Sequence, residues 1–67
     1  MESKKVIYNC IVSTFKILEH SIEMQQKFNV DTKASQNCIR NELNSFIREY
    51  KYLGGTKNID KFLKYYV

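Results

Sequence analysis

The side chains that could carry out chemistry in this 67-residue chain are few and scattered. They are one histidine, His20, and two cysteines, Cys10 and Cys38. Nucleophilic and acid–base catalysis needs a nucleophile, a base within hydrogen-bonding distance and usually a third group that orients the base. At helical spacing, His20 projects from a polar face that carries neither cysteine. We therefore predict that the protein is not an enzyme and uses no cofactor.

The sequence also lacks the patterns of metal, redox and phosphate-binding sites. Glu19 and Glu23 are four residues apart, but no Cys or Asp stands nearby to complete a set of ligands. The two cysteines form no CxxC pair. In the helical hairpin described below they would also lie too far apart for a disulfide. Residues 54–57 contain two glycines and a lysine, too few glycines for a phosphate-binding loop.

The composition favours a small, basic, all-helical domain. The chain has no proline, two adjacent glycines and a net charge of +4. β-Sandwiches and barrels need several turns rich in Gly and Pro, so this composition argues against them. No apolar run approaches the roughly 20 residues of a membrane span, and no secretory signal is evident. We expect a cytoplasmic protein with no membrane partner, and its heavy use of Lys, Ile, Asn, Tyr and Phe is typical of A+T-rich coding sequences.

Three periodic segments predict an antiparallel hairpin of two long helices, about 4–28 and 33–53. A short third helix, about 58–66, is expected to fold back and complete a three-helix bundle, because a helix of that length is unstable alone. Asp31 or Thr32 is expected to cap the second helix. Gly54 can adopt the left-handed conformation that ends it.

The first helix carries two apolar seams, about 120° apart on the helical wheel. The first seam is Tyr8, Ile11, Phe15, Leu18 and Ile22, and the second is Cys10, Thr14, Ile17, Ser21 and Met24. The third helix spans about 12 Å, whereas the second seam spans about 21 Å. Because the third helix cannot cover this whole seam, we expect the second seam to bind a second copy or a partner protein. Thr14 and Ser21 are short enough to let another helix approach closely.

A DNA-binding regulator of the phage or plasmid kind is the alternative. Residues 22–42 loosely resemble a helix-turn-helix motif. The resemblance implies that four residues face the DNA groove: Ser35, Gln36, Asn37 and Arg40. The C-terminal half also interleaves tyrosines with lysines, and these side chains can stack on bases and contact phosphates. The lysines expected to contact nucleic acid are Lys51, Lys57, Lys61 and Lys64.

Two short stretches are similar to known helical families. Residues 42–50 are similar to the second helix of the small two-helix phosphatases that act on the sporulation response regulator. Residues 7–9, with 39–42, are similar to the three-helix mitochondrial LYR proteins. Asn44 replaces the aspartate of the first family and Asn9 replaces the arginine that defines the second, so neither similarity assigns a role to a residue here.

The function we expect is that of a small non-enzymatic regulator. It would bury an apolar face of the first helix against itself or another protein, with a basic rim that steers an acidic partner.

Overall fold

The computed structural model of this chain describes residues 3–66, which form three helices joined by short connections, with no strand among them. Helix α1 is Lys4–Phe28, helix α2 is Lys33–Tyr52, and a short 3-10 helix, η1, is Asp60–Tyr65. The two long helices lie antiparallel along their length. At one end the rings of Tyr8 and Tyr50 are 5.8 Å apart, and at the other Gln36 donates a hydrogen bond to Gln25. The predicted all-helical hairpin is confirmed.

Helix α1 begins and ends at residues suited to helix termini. The Ser3 hydroxyl oxygen accepts a hydrogen bond from the backbone N–H of Val6 at 3.3 Å, which satisfies one of the free donors of the first turn. The residue after the helix, Asn29, has φ of 52°. Asn tolerates this left-handed conformation better than most residues because its short side chain can hydrogen-bond locally.

The hairpin turn is held by a polar cluster that the sequence did not predict. The Thr32 hydroxyl donates to the Ser21 carbonyl oxygen at 3.0 Å and accepts from the Gln36 amide nitrogen at 2.8 Å. The Gln25 side-chain oxygen accepts from the Thr32 backbone N–H at 3.2 Å and from Gln36 at 3.1 Å. Thr32 therefore ties α2 to α1 instead of capping α2 with its side chain. The Asp31 carboxylate accepts from the first backbone N–H of α2.

Helix α2 ends at the glycine pair, as predicted. Gly54 has φ of +76°, and its backbone N–H donates to the Lys51 carbonyl at 3.0 Å. Gly55 lies against the ring of buried Tyr50, so closely that a Cβ there would overlap the ring. The pair thus has two roles, because Gly54 reverses the chain and Gly55 leaves room for Tyr50.

The third element differs from the predicted α-helix over 58–66. It is a 3-10 helix of six residues, and its hydrogen bonds span three residues, as in Phe62 N–H to Ile59 carbonyl at 2.9 Å. In a 3-10 helix the side chains at i and i+3 lie above one another. This brings Ile59 and Phe62 into the core together, with Tyr65 on the same line.

The core lies where α1, α2 and η1 meet. Its buried apolar members are Ile7, Ile11, Leu18, Leu43, Ile47, Tyr50, Ile59 and Phe62. The fully buried α1 residues Ile11 and Leu18 belong to the first seam. Helix η1 covers the outer side of that seam, where Phe62 packs edge-on against Phe15 with ring centroids 5.1 Å apart. Both neighbours of α1 therefore pack toward the first seam, which leaves the other side of α1 uncovered.

Candidate functional site

The second seam of α1 divides between the core and the surface. Thr14 is only 8% exposed, whereas Ile17 is 55% exposed. Cys10, Ser21 and Met24 are half-buried. Thr14 lies at the edge of the seam nearest Ile7 and Leu18 and is mostly buried with them, so Thr14 offers less surface to a partner than the sequence suggests.

The uncovered side of α1 carries a longer apolar stripe than the sequence predicted. Val6, Ile17 and Phe28 are exposed at 45%, 55% and 63%. Neighbouring members of this set are eleven residues apart, which is just over three helical turns, so the three side chains lie on one line along the helix. Cys10 and Met24 lie on the same line. We call this stripe, Val6, Cys10, Ile17, Met24 and Phe28, the open face.

A groove beside the open face extends it onto α2. Its volume is about 390 Å³, and it is lined by Val6, Asn9, Cys10, Ser13, Thr14, Glu42 and Phe46. The charged residue among these is Glu42, so the expected basic rim is absent here. Half-buried Phe46 provides the α2 side of the apolar surface.

The opposite side of α1 forms a groove with η1 that contains the residues first considered for chemistry. This groove of about 380 Å³ is lined by Val12, Phe15, Lys16, Glu19, His20, Glu23, Lys61 and Phe62. The Tyr65 hydroxyl donates to a Glu19 carboxylate oxygen at 2.9 Å. That same oxygen lies 3.8 Å from the Lys64 ammonium. Glu19 therefore anchors η1 to α1.

Glu23 is also paired. Its carboxylate lies 2.9 Å from the Lys27 ammonium, and this hydrogen bond, with the attraction of the Lys27 charge, lowers the pKa of Glu23 below its ordinary value. His20 is exposed. No group of three or more His, Cys, Asp or Glu side chains converges to hold a metal ion within residues 3–66.

A second groove on the η1 side brings together lysines that are distant in the sequence. It has a volume of about 210 Å³ and is lined by Lys4, Lys5, Tyr8, Tyr50, Thr56 and Lys57. The Lys57 ammonium lies 4.6 Å from the centroid of the Tyr8 ring. Sequence reasoning selected Lys57 but missed Lys4 and Lys5, because more than 50 residues separate them and only the antiparallel fold brings them together.

The residues predicted to contact nucleic acid do not form one surface. Lys51 lies 5.7 Å from the Tyr66 ring centroid, and Lys64 pairs with Glu19, whereas Lys57 and Lys61 line the two η1-side grooves. Ser35 and Asn37 are exposed, and Arg40 is half-buried.

The helix-turn-helix interpretation meets a geometric obstacle. The helices of that motif cross at about 90–120°, whereas α1 and α2 lie side by side. Gln36, which the motif would direct to a base, is hydrogen-bonded inside the turn to Gln25 and Thr32.

Both cysteines are free: Cys10 is half-buried beside Val6, and Cys38 is exposed. Neither long helix, over the stretch that the structure describes, is apolar enough to cross a bilayer. Comparison of the chain with models of protein families, with curated protein sequences and with solved structures finds no match.

Proposed function

We propose that the protein is a non-enzymatic interaction module that pairs with a second copy of itself through the open face. The exposure of Ile17 carries this proposal. A large aliphatic side chain, more than half exposed in the middle of a 25-residue helix, is flanked along the same line by Cys10 and Met24. An apolar stripe whose exposed and half-buried members share one line marks an interaction surface more often than isolated exposed residues do.

The dimensions of the molecule suit a dimer. It is elongated, with extents of 39 × 19 × 19 Å, so two copies can lie side by side along the length of α1. Pairing of two such faces would form a four-helix core, with α1 and α2 contributed by each copy.

The charges around the open face also favour self-association. A two-fold interface places the same patch on both copies, so it must be self-complementary. The groove beside the face carries the acidic Glu42, and Lys27 precedes Phe28 at the other end of the stripe. Both signs of charge are therefore present at the margins of the face, while the stripe itself is uncharged.

A Glu at the centre of the open face provides the test. Ile17→Glu places a carboxylate in the apolar stripe, and burying that charge without a partner would cost several kcal/mol. We expect this variant to remain helical and to be monomeric in light scattering after size exclusion, under conditions in which the native chain is dimeric. The matched control is Asn41→Glu, which makes the same charge change at an exposed position of α2.

Two results would contradict the proposal. The first is an Ile17→Glu variant with the same mass as the native chain. The second is a native chain that is monomeric throughout but binds a different protein through Ile17, which would assign the open face to a heterologous partner.

A further inference from the structure

We infer that lysines on the η1 side of the molecule form a binding site for the phosphate backbone of a nucleic acid. We call these residues the cationic track: Lys4, Lys5, Lys57, Lys61 and Lys16. They come from the first turn of α1, the segment before η1, η1 itself and the middle of α1. On the helical wheel of α1, Lys5 and Lys16 lie about 100–120° away from Ile17, so the track does not overlap the open face and does not rest on the dimer proposal.

The two grooves that contain these lysines are neighbours, and an aromatic contact joins them. Lys4, Lys5 and Lys57 surround Tyr8, and Lys16 and Lys61 flank Phe62 in the next groove. The Tyr8 ring lies 6.1 Å from that of Phe62. The five cations therefore lie in two adjacent grooves whose aromatic residues contact each other.

The charge of the track is not neutralised within residues 3–66. The acidic residues on this side are paired with other cations, since Glu23 binds Lys27 and Glu19 binds Lys64. Among the described residues no ion pair includes a lysine of the track, and exposed Asp60 forms none.

Two of these ammonium groups rest on aromatic rings. The Lys57 ammonium is 4.6 Å from the centroid of the Tyr8 ring. The Lys61 ammonium is 5.0 Å from the centroid of the Phe62 ring. Such contacts fix the position of a cation while leaving its charge available to an anion.

The linear form of the track favours a nucleic acid over an anionic membrane. Lys5 and Lys16 are eleven residues apart on one helix, or about 16 Å. A duplex presents one phosphate for about every 1.7 Å of helix axis when both strands are counted, so a length of about 16 Å offers enough phosphates for each of the five lysines. A membrane-binding surface would place exposed apolar side chains beside the cations, whereas Phe62, which lies between Lys16 and Lys61, is only 2% exposed.

The experiment is fluorescence anisotropy with a labelled duplex of mixed sequence and the full native chain. Five phosphate contacts predict that affinity falls about 500-fold between 50 and 200 mM salt. The double variant Lys5→Gln/Lys57→Gln should bind more weakly at 50 mM, and its affinity should fall only about 40-fold over the same range, as three contacts predict.

The control variant is Lys33→Gln/Arg48→Gln, which removes the same charge from exposed positions of α2 that form no ion pair among the described residues. Its salt dependence should match that of the native chain, and circular dichroism should show equal helix content in all three proteins. Equal weakening by both double variants would overturn the inference, because net charge alone would then explain binding. No binding of the duplex at 50 mM would also overturn it, as would binding to phosphatidylserine vesicles in preference to the duplex.

Discussion

At the scale of the residue, burial separates two kinds of apolar side chain that look alike in the sequence. Leu43 is fully buried in the core, whereas Phe46, one turn later on α2, is half-buried in the groove beside the open face. Both belong to the apolar stripe that the spacing of α2 predicts. Only the packing of α1 against α2 decides which of them is fully buried and which stays partly exposed.

This difference predicts unequal effects on stability. Leu43→Ala leaves a cavity in the core and should lower the free energy of unfolding by about 2–5 kcal/mol, which is enough to unfold much of a domain this small. Phe46→Ala should cost less, because solvent or rearranged side chains can fill the space it leaves. Urea denaturation followed by circular dichroism measures both, and equal losses would show that Phe46 belongs to the core.

At the scale of the element, the two adjacent glycines carry different constraints. Gly54→Ala would force a left-handed conformation on a residue with a Cβ, at about 1–2 kcal/mol, although nothing lies within 4 Å of that Cβ. Gly55→Ala should cost more, roughly 2–3 kcal/mol. Its Cβ would displace the ring of Tyr50, whose hydroxyl oxygen accepts a hydrogen bond from the Lys57 backbone N–H at 3.0 Å. Thermal denaturation of the two variants compares their stabilities. A smaller decrease in melting temperature for Gly55→Ala than for Gly54→Ala would contradict the packing described.

The turn cluster makes a second prediction at this scale. Gln25→Ala removes the acceptor shared by Thr32 and Gln36 and should cost about 1–3 kcal/mol, because partly buried donors lose their partner. Gln26→Ala, at the next and exposed position, should change stability by less than about 0.5 kcal/mol. The midpoints of urea denaturation of the two variants measure this difference. If the two variants have equal midpoints, the cluster does not stabilise the hairpin.

The sequence predicted those parts of the elements that depend on local spacing. The 3.6-residue periodicity places α1 at its observed bounds, and Gly54 marks the end of α2. The helix type of η1 could not be predicted, because it depends on how Ile59 and Phe62 dock onto α1 and not on their spacing alone. The same limit applies to Thr32, whose bond to Ser21 joins two helices that only the tertiary fold brings together.

At the scale of the whole molecule, η1 gives the two sides of α1 different properties. By packing on Phe15 and bonding to Glu19, it covers one side and places Lys61 beside Lys16. The side opposite η1 keeps its apolar stripe exposed, with Ile17 at its centre. The sequence predicted that a short third helix would leave apolar surface on α1. The sequence did not predict that Lys4, Lys5, Lys16, Lys57 and Lys61 would line the grooves near η1. Their arrangement depends on which seam of α1 the 3-10 helix packs against.

The central claim is that the open face is buried by a second copy of the chain. Sedimentation equilibrium of the native protein over a wide range of micromolar concentrations tests it most directly. We predict a mass that rises to twice the 8.0 kDa of the single chain as concentration increases and returns to that of the monomer on dilution. A mass of 8.0 kDa at every concentration would contradict the claim.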